Sequence, residues 1–233
     1  RFDERTRVLS TILLVIQYIG IGAAQLMALG ILTSTLLNIS YQNAILITGG
    51  VLIFYTVMGG LFAVALTDVA QMILNAIGVM VILPFVGLRE VGGLAGLKAT
   101  LPAGHFDLMG MGLPAVLGFL AWIIPQGFLS QELWVRIFAS TDEKTAKKAT
   151  LIASIGIYIP YMISVVVIGL VGAVLYPKIA PDSIIPHMIG SLKNPVIQGI
   201  LYSSLIAAVM SCADSVLLVT ASNVVKDVYM RLI

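Results

Sequence analysis

An all-α, polytopic membrane helix bundle follows from three features of this chain. It is 59% apolar and only 10% charged over 233 residues, where soluble domains carry about 25% charge. Its apolar residues run in blocks of roughly 20 or more, the length that crosses a hydrocarbon core. Clusters of Gly, Pro, Asn and Asp separate the blocks and are turn signals. In lipid each backbone amide must find its partner within the protein, which makes helices the natural spanning element for blocks of this length. A single cysteine, Cys212, excludes a disulfide framework within the chain. The net charge of +2, without a basic cluster, gives no footprint for nucleic acid.

Six spans are expected, at about 9–35, 42–61, 66–88, 113–135, 148–175 and 196–222. The first is interrupted by Gln17 and Gln25, which share a helix face and suit interhelical hydrogen bonding. Only Met58-Gly59-Gly60 separates the second from the third, and the tandem glycine permits a sharp turn or a close helix approach. The fourth contains Pro125-Gln126-Gly127-Phe128. Its missing backbone donor predicts a kink or an unwound stretch. Before the fifth, Thr141 or Asp142 can cap the helix, with acids in its first turn. The sixth holds Asp214 within the apolar stretch 205–219. No soluble domain and no short tandem repeat is visible, so residues 1–233 read as a single transmembrane unit. The opening Arg1-Phe2-Asp3 lacks an initiator Met, and the chain is expected to be an internal piece of a longer protein.

Lys and Arg placement orients the spans. With six crossings, Arg1, Arg5, Arg7, Arg136, Lys144, Lys147, Lys148, Lys226 and Arg231 lie on one side, and Arg89, Lys98, Lys178 and Lys193 on the other. The balance of nine to four, out of 13 in all, places both ends of the chain and the 136–148 loop in the cytoplasm. The expected location is a plasma (inner) membrane, crossed several times.

The polar residues inside the spans are the candidate site. Asp214 has no other charge in the 20 residues before it or the 11 after it. A carboxylate at that depth is expensive and normally faces a protein interior or a polar cavity. Ala208, Ser211, Cys212 and Ser215 share one helix face, and Asp214 borders it. A carboxylate, hydroxyls and freed backbone carbonyls are suitable ligands for a hard cation such as Na⁺. The other reading is a small-residue packing seam. Asp68 sits near the start of the third span, one turn from Gln71. It is either an interfacial N-terminal cap or a buried acid facing another helix. At Pro125, broken backbone is tolerated only where it is buried or lines a cavity, which makes Gln126 and Phe128 candidate solute contacts. His105 and His187 have no metal-ligand spacing to each other or to Cys212, and no nucleophilic triad or phosphate loop is present. An enzyme is not expected.

Three blocks resemble the sodium/solute symporter family, which includes sodium–proline, sodium–sialic acid and sodium–glucose cotransporters. The first is Tyr55-Thr-x-x-Gly-Gly-Leu-x-Ala-Val-x-x-Thr-Asp-x-x-Gln71. The second is Gln131-Glu-Leu-Trp-Val-Arg-Ile-Phe-Ala139 with the charged loop that follows it. The third is Ala207-Ala-Val-Met-Ser-Cys-Ala-Asp-Ser215, ending in Val225-Lys-Asp-Val-Tyr229. The resemblance implies two inverted five-helix repeats, of which this chain supplies about core helices three to eight. It also implies a Na⁺ site using the Ala208 carbonyl, Ser211 and Cys212. A second Na⁺ is implied at Asp68, Ser211, Asp214 and Ser215. The implied solute site lies around Gln126, Gly127 and Phe128, with Gln25 from the first span. Two departures stand out. Cys212 replaces a usual hydroxyl and is a soft, poor ligand for Na⁺, and Asp214 stands where many members carry a hydroxyl or a small residue.

The expected function is therefore sodium-coupled symport of a small organic solute by alternating access. Na⁺ is the coupling ion, no organic cofactor is involved, and the partners are the solute, Na⁺ and the bilayer. Proton coupling is one alternative, since the added carboxylate could take a proton. A transporter-like sensor domain of a signalling protein is another. The solute is not readable from these residues.

Overall fold

The computed structural model describes residues 3–107 and 109–230, with Glu4, Arg5 and Asp182 as backbone only. Arg1 and Arg231, and the side chain of Arg5, which entered the charge balance above, lie outside what is described. The regular elements are all helical: α1 (Glu4–Leu37), α2 (Tyr41–Asn75), α3 (Leu83–Glu90), α4 (Gly93–Thr100), α5 (Leu113–Leu129), α6 (Gln131–Phe138), α7 (Glu143–Leu151), α8 (Ile159–Leu175), α9 (Ile184–Gly190) and α10 (Pro195–Asn223). Wider π turns at Ala76–Ile82 and Ile152–Tyr158 join α2 to α3 and α7 to α8, and a third, Val224–Tyr229, extends α10. Among the described residues, 5 helical runs are long and apolar enough to cross a bilayer: Thr6–Leu37, Tyr41–Glu90, Leu113–Phe138, Glu143–Leu175 and Pro195–Tyr229. The chain is an all-α membrane helix bundle.

The spans expected at 42–61 and 66–88 both fall within the run Tyr41–Glu90, which has 50 residues. An unbroken helix of that size would be about 75 Å long, against a hydrocarbon core of about 30 Å. It is broken at Gly60, where φ is 56° and ψ is −151°. That backbone region is essentially reserved for glycine. The stretches on either side, 41–59 and 61–90, are each long enough to cross at about 1.5 Å per residue.

Local chemistry explains the helix ends. α1 stops at Asn38, which takes the left-handed conformation (φ 53°) and donates its N–H to the Ser34 carbonyl. Asn tolerates that conformation better than other side chains do. Two residues later Ser40 caps α2 by accepting from the Asn43 N–H at 3.3 Å. Asp3 caps α1 through the Thr6 N–H at 3.1 Å. At α7 the two candidate caps resolve in favour of Asp142, which accepts from the Thr145 N–H and from the Thr145 hydroxyl, both at 2.8 Å.

The chain divides into two compact units. One comprises the residues up to Gly78 together with those from Gly199 onward, and so holds α1, α2 and most of α10. Its buried residues include Tyr18 and Leu29 of α1, Leu52 and Val64 of α2, and Val216 and Val219 of α10. Arg7 pairs with Asp227 at 3.3 Å, so the start of α1 meets the segment that follows α10. A Cβ on Gly78 would stand 2.5 Å from the Ser204 Cβ, so glycine is required for this approach to α10. Asn75 Nδ2 donates to the Ser204 carbonyl at 3.3 Å and secures the same crossing.

The second unit is Val79–Gln198, with Leu83, Leu97, Ile168, Val171 and Ile189 at its core. Proline shapes it. Pro84 has no N–H to offer the carbonyl four residues back, at Met80. The nearly buried Ser164 supplies the missing donor, its Oγ lying 3.0 Å from the Met80 carbonyl and 2.9 Å from that of Pro160. Hydroxyls commonly re-satisfy backbone freed by proline in membrane helices.

Replacing Gly60 by Ala is expected to cost about 1–3 kcal/mol, because a Cβ is placed in a backbone region closed to it. The check is a lowered thermal unfolding midpoint in detergent, absent from Gly50→Ala, which lies in ordinary helix with nothing within 4 Å of the added methyl. The Asp142 cap gives a pH dependence. The Thr145 N–H and hydroxyl hold its carboxyl below the ordinary 3.8. The cap therefore stabilises α7 fully above the ordinary value and is lost as pH falls through the lowered one. The hydrogen-exchange protection factor of the Thr145 amide should follow that loss, and in Asp142→Ala it should be low and insensitive to pH.

Candidate cation site

α2 and α10 belong to the same unit and carry the site. α10 runs unbroken over 29 residues and presents Ser211, Asp214 and Ser215. α2 presents Tyr55 before the Gly60 break and Asp68 and Gln71 after it. Helix continues from Gly60 past Asp68 to Asn75, so Asp68 is not an interfacial cap. It is the acid that faces another helix.

Asp214 is fully buried, at 0% exposure. The Tyr55 hydroxyl donates to its Oδ2 at 2.7 Å. Ser215 Oγ lies 3.2 Å from its Oδ1 and 2.9 Å from the Ser211 carbonyl. Ser211 Oγ in turn donates to Asp68 Oδ1. Ser211 thus joins the two acids, reaching Asp68 through its side chain and Asp214 through its carbonyl and Ser215. Close by in sequence, Thr56 Oγ1 and Gln71 Oε1 are buried without a hydrogen-bond partner. Unpaired buried oxygens are costly and call for an explanation. Two carboxylates with hydroxyl and amide oxygens form a hard donor set that suits a hard cation. Among the described residues no group of three or more His, Cys, Asp or Glu converges.

Asp68, Ser211, Asp214 and Ser215, expected to act together, are brought together. Ala208, Ser211 and Cys212 lie on consecutive turns of α10. The helix is continuous, so the Ala208 carbonyl remains in its ladder and has only its second lone pair to offer. Cys212 is exposed and accepts a hydrogen bond from Gln25 Nε2 at 3.3 Å. Gln25 is thereby held beside the thiol and makes an interhelical bond, while Gln17 is exposed.

Gln126, Gly127 and Phe128 lie in the other unit, on α5, where no residue is buried. Of the kink or unwound stretch expected at Pro125 to Gly127, the unwinding does not occur there. Pro125 is accommodated within α5, and the helix breaks at Ser130 (φ −63°, ψ 106°). The end left open there is closed by Trp134, whose indole N–H donates to the Phe128 carbonyl at 2.7 Å.

Sequence reasoning gave Tyr55, Thr56 and Gln71 no role. The Tyr55–Asp214 bond spans 159 residues, and no local spacing signals it. The traces were that Tyr55 and Gln71 bound the first of the family-like blocks and that Gln71 lies one turn from Asp68.

With the site described, comparison with known proteins is decisive. A family model for the sodium:solute symporter family matches residues 1–233. The chain belongs to that family. The high-affinity proline transporter PutP of Bacillus subtilis is 29% identical over 98% of this chain and 50% of its own length. The osmoregulated proline transporter OpuE of the same organism is 30% identical over 98% of this chain and 49% of its own length. The high-affinity choline transporter 1 of Drosophila melanogaster is 28% identical over 86% of this chain and 35% of its own length. The chain therefore spans about half the length of the two proline transporters.

Proposed function

We propose that this chain is the central part of a sodium-coupled symporter for a small organic solute, working by alternating access. One observation carries the reading: two acids from different helices of a membrane bundle, the half-buried Asp68 and the buried Asp214, are joined through Ser211 and Ser215. Membership of the sodium:solute symporter family supports Na⁺ as the cation such a donor set serves. In this reading Asp68, Ser211, Asp214 and Ser215 hold one Na⁺, and the Ala208 carbonyl, Ser211 and Cys212 contribute to another. Gln25, Gln126, Gly127 and Phe128 are the proposed solute contacts. The relatives are named for proline and choline transport, so proline is the first solute to test.

Asp214 is buried and Asp68 half-buried, so two negative charges held this close repel, and a cation between them eases the repulsion. Binding therefore favours the conformation that holds both acids together, and this differential affinity couples the ion to the conformational change. The membrane potential adds about 2.3 kcal/mol per charge per 100 mV.

We also propose that both ends are cytoplasmic. The Arg7–Asp227 pair supports an even number of crossings between them, as does the Gly60 break within Tyr41–Glu90. In full-length protein with Cys212 replaced by Ser, a single cysteine at Lys147 should label only from the cytoplasmic side and one at Lys193 only from outside. Labelling of both from one side would reverse this topology.

In proteoliposomes of the full-length protein, an inward Na⁺ gradient should drive solute accumulation at fixed pH and voltage. Ser211→Ala and Asp214→Asn should each raise the half-saturating Na⁺ concentration about tenfold or more, as expected when a buried charged ligand or its partner is lost. Sodium dependence unchanged in both variants removes these residues from the cation site. Accumulation driven only by a pH gradient supports proton coupling, and no accumulation in folded protein supports the sensor reading.

A further inference from the structure

We propose that α3 and the first turn of α10 form a groove for a membrane phospholipid whose headgroup carries both a phosphate and a primary ammonium, as phosphatidylethanolamine does. Arg89 takes the phosphate, Glu90 takes the ammonium, and an acyl chain lies along the apolar side chains below them. The groove lies wholly within the unit Val79–Gln198 and shares no residue with the cation site.

The cavity has a volume of about 460 Å³, within the range of roughly 300–1,000 Å³ usual for small-ligand sites. Two neighbouring stripes of side chains line it, each in steps of four residues. One is Val81, Phe85 and Arg89; the other is Ile82, Val86 and Glu90. Residues four apart on a helix share a face. Ile197 of α10 completes the lining. Each stripe is apolar at its first two members and charged at its third, over a rise of about 13 Å from Val81 to Glu90. The membrane-spanning run ends at Glu90. Gly92 and Gly93, at φ of 79° and 75°, then turn the chain into α4. The charged end of the groove is therefore the end at the membrane surface, and the apolar end extends into the hydrocarbon. That is the polarity pattern of a lipid.

The two charges select the headgroup. The Arg89 guanidinium lies 5.9 Å from the centroid of the Phe85 ring, so it folds back one turn toward the apolar end. A guanidinium there is placed to grip a phosphate with paired N–H donors. Glu90 is the last residue of α3. A carboxylate at that position meets the negative end of the helix dipole, which favours a cation beside it. Among the described residues neither Arg89 nor Glu90 takes part in an ion pair, and sequence neighbours on a helix do not face each other. A ligand ammonium, with three donors, serves both Glu90 and the helix end. From the hydrocarbon outward the groove presents apolar stripe, cation and anion. Acyl chain, phosphate and ammonium follow one another in the same order in phosphatidylethanolamine. Phosphatidylglycerol matches the first two and brings no cation to Glu90.

The test is native mass spectrometry of the full-length protein in detergent with equal amounts of phosphatidylethanolamine and phosphatidylglycerol bearing the same acyl chains. The wild type should favour phosphatidylethanolamine by about threefold or more, the scale of one hydrogen-bonded charge at a surface. Glu90→Gln should remove the preference. Arg89→Gln should lower occupancy by both lipids about tenfold, as expected when a charge-assisted bond is lost. Val86→Trp keeps both charges, fills the groove and should lower occupancy by both lipids. Equal binding of the two lipids by the wild type, or a preference that survives in Glu90→Gln, overturns the proposal. Wild-type occupancy in either Arg89→Gln or Val86→Trp also overturns it, and is the result expected if another segment of the full-length protein covers the groove. If Val86→Trp does not purify as folded protein, Arg89→Gln decides the occupancy alone.

Discussion

A carboxylate buried among apolar helices has to be satisfied from within the protein, and Asp214 is satisfied from two helices. Ser215 lies beside it on α10, and Tyr55 reaches it from α2. Each of these oxygens is positioned by something else. Ser215 also bonds the Ser211 carbonyl, and Ser211 holds Asp68. The acid thereby fixes the register of α2 against α10. A one-residue rotation of either helix would turn a carboxylate toward hydrocarbon, at a cost of several kcal/mol by the usual ~2.5–3.5 kcal/mol for an acid at the centre of a spanning helix. Helix association in a bilayer has no hydrophobic drive, and such polar ties carry much of its specificity.

The same rule governs the irregular backbone. Pro84 frees the Met80 carbonyl and Ser164 takes it; the break at Ser130 opens the end of α5 and Trp134 closes it. Gly60 breaks α2 between Tyr55, which contacts Asp214, and Asp68, which contacts Ser211. Rigid helices flank a point where only glycine fits, and the polar contacts lie on both sides of it. This arrangement allows a change at the acids to be felt as a change in the direction of α2.

The units differ in how their surfaces are used. In the unit holding α1, α2 and most of α10, polar side chains bond from helix to helix, as Gln25 with Cys212, Tyr55 with Asp214 and Ser211 with Asp68. In the other, α5 buries no residue, and Gln126, Gly127 and Phe128 are exposed. Exposed apolar surface carries little penalty in lipid, so an uncovered helix is compatible with a stable membrane unit. The chain spans about half of its proline-transporter relatives.

The sequence by itself determined that the chain is helical and lies in a membrane, since composition and the length of apolar blocks depend on no contact. It also singled out Asp214, Asp68 and the serines, because a charge or hydroxyl in an apolar span is conspicuous wherever the helix packs. Local chemistry was legible to within a choice, as at Thr141 and Asp142, where both could cap and one does. Tertiary structure decided what has no local signature. Whether Asp68 capped a helix or faced a neighbour depended on where helix resumed after Gly60. Where the backbone opened near Pro125 depended on how the chain accommodated the missing donor. Tyr55 and Gln71 could not be read because their significance lies in distance across the fold. A tyrosine and a glutamine in an apolar span are unremarkable until folding brings a buried carboxylate, 159 residues away in the chain, to within 2.7 Å of the tyrosine hydroxyl.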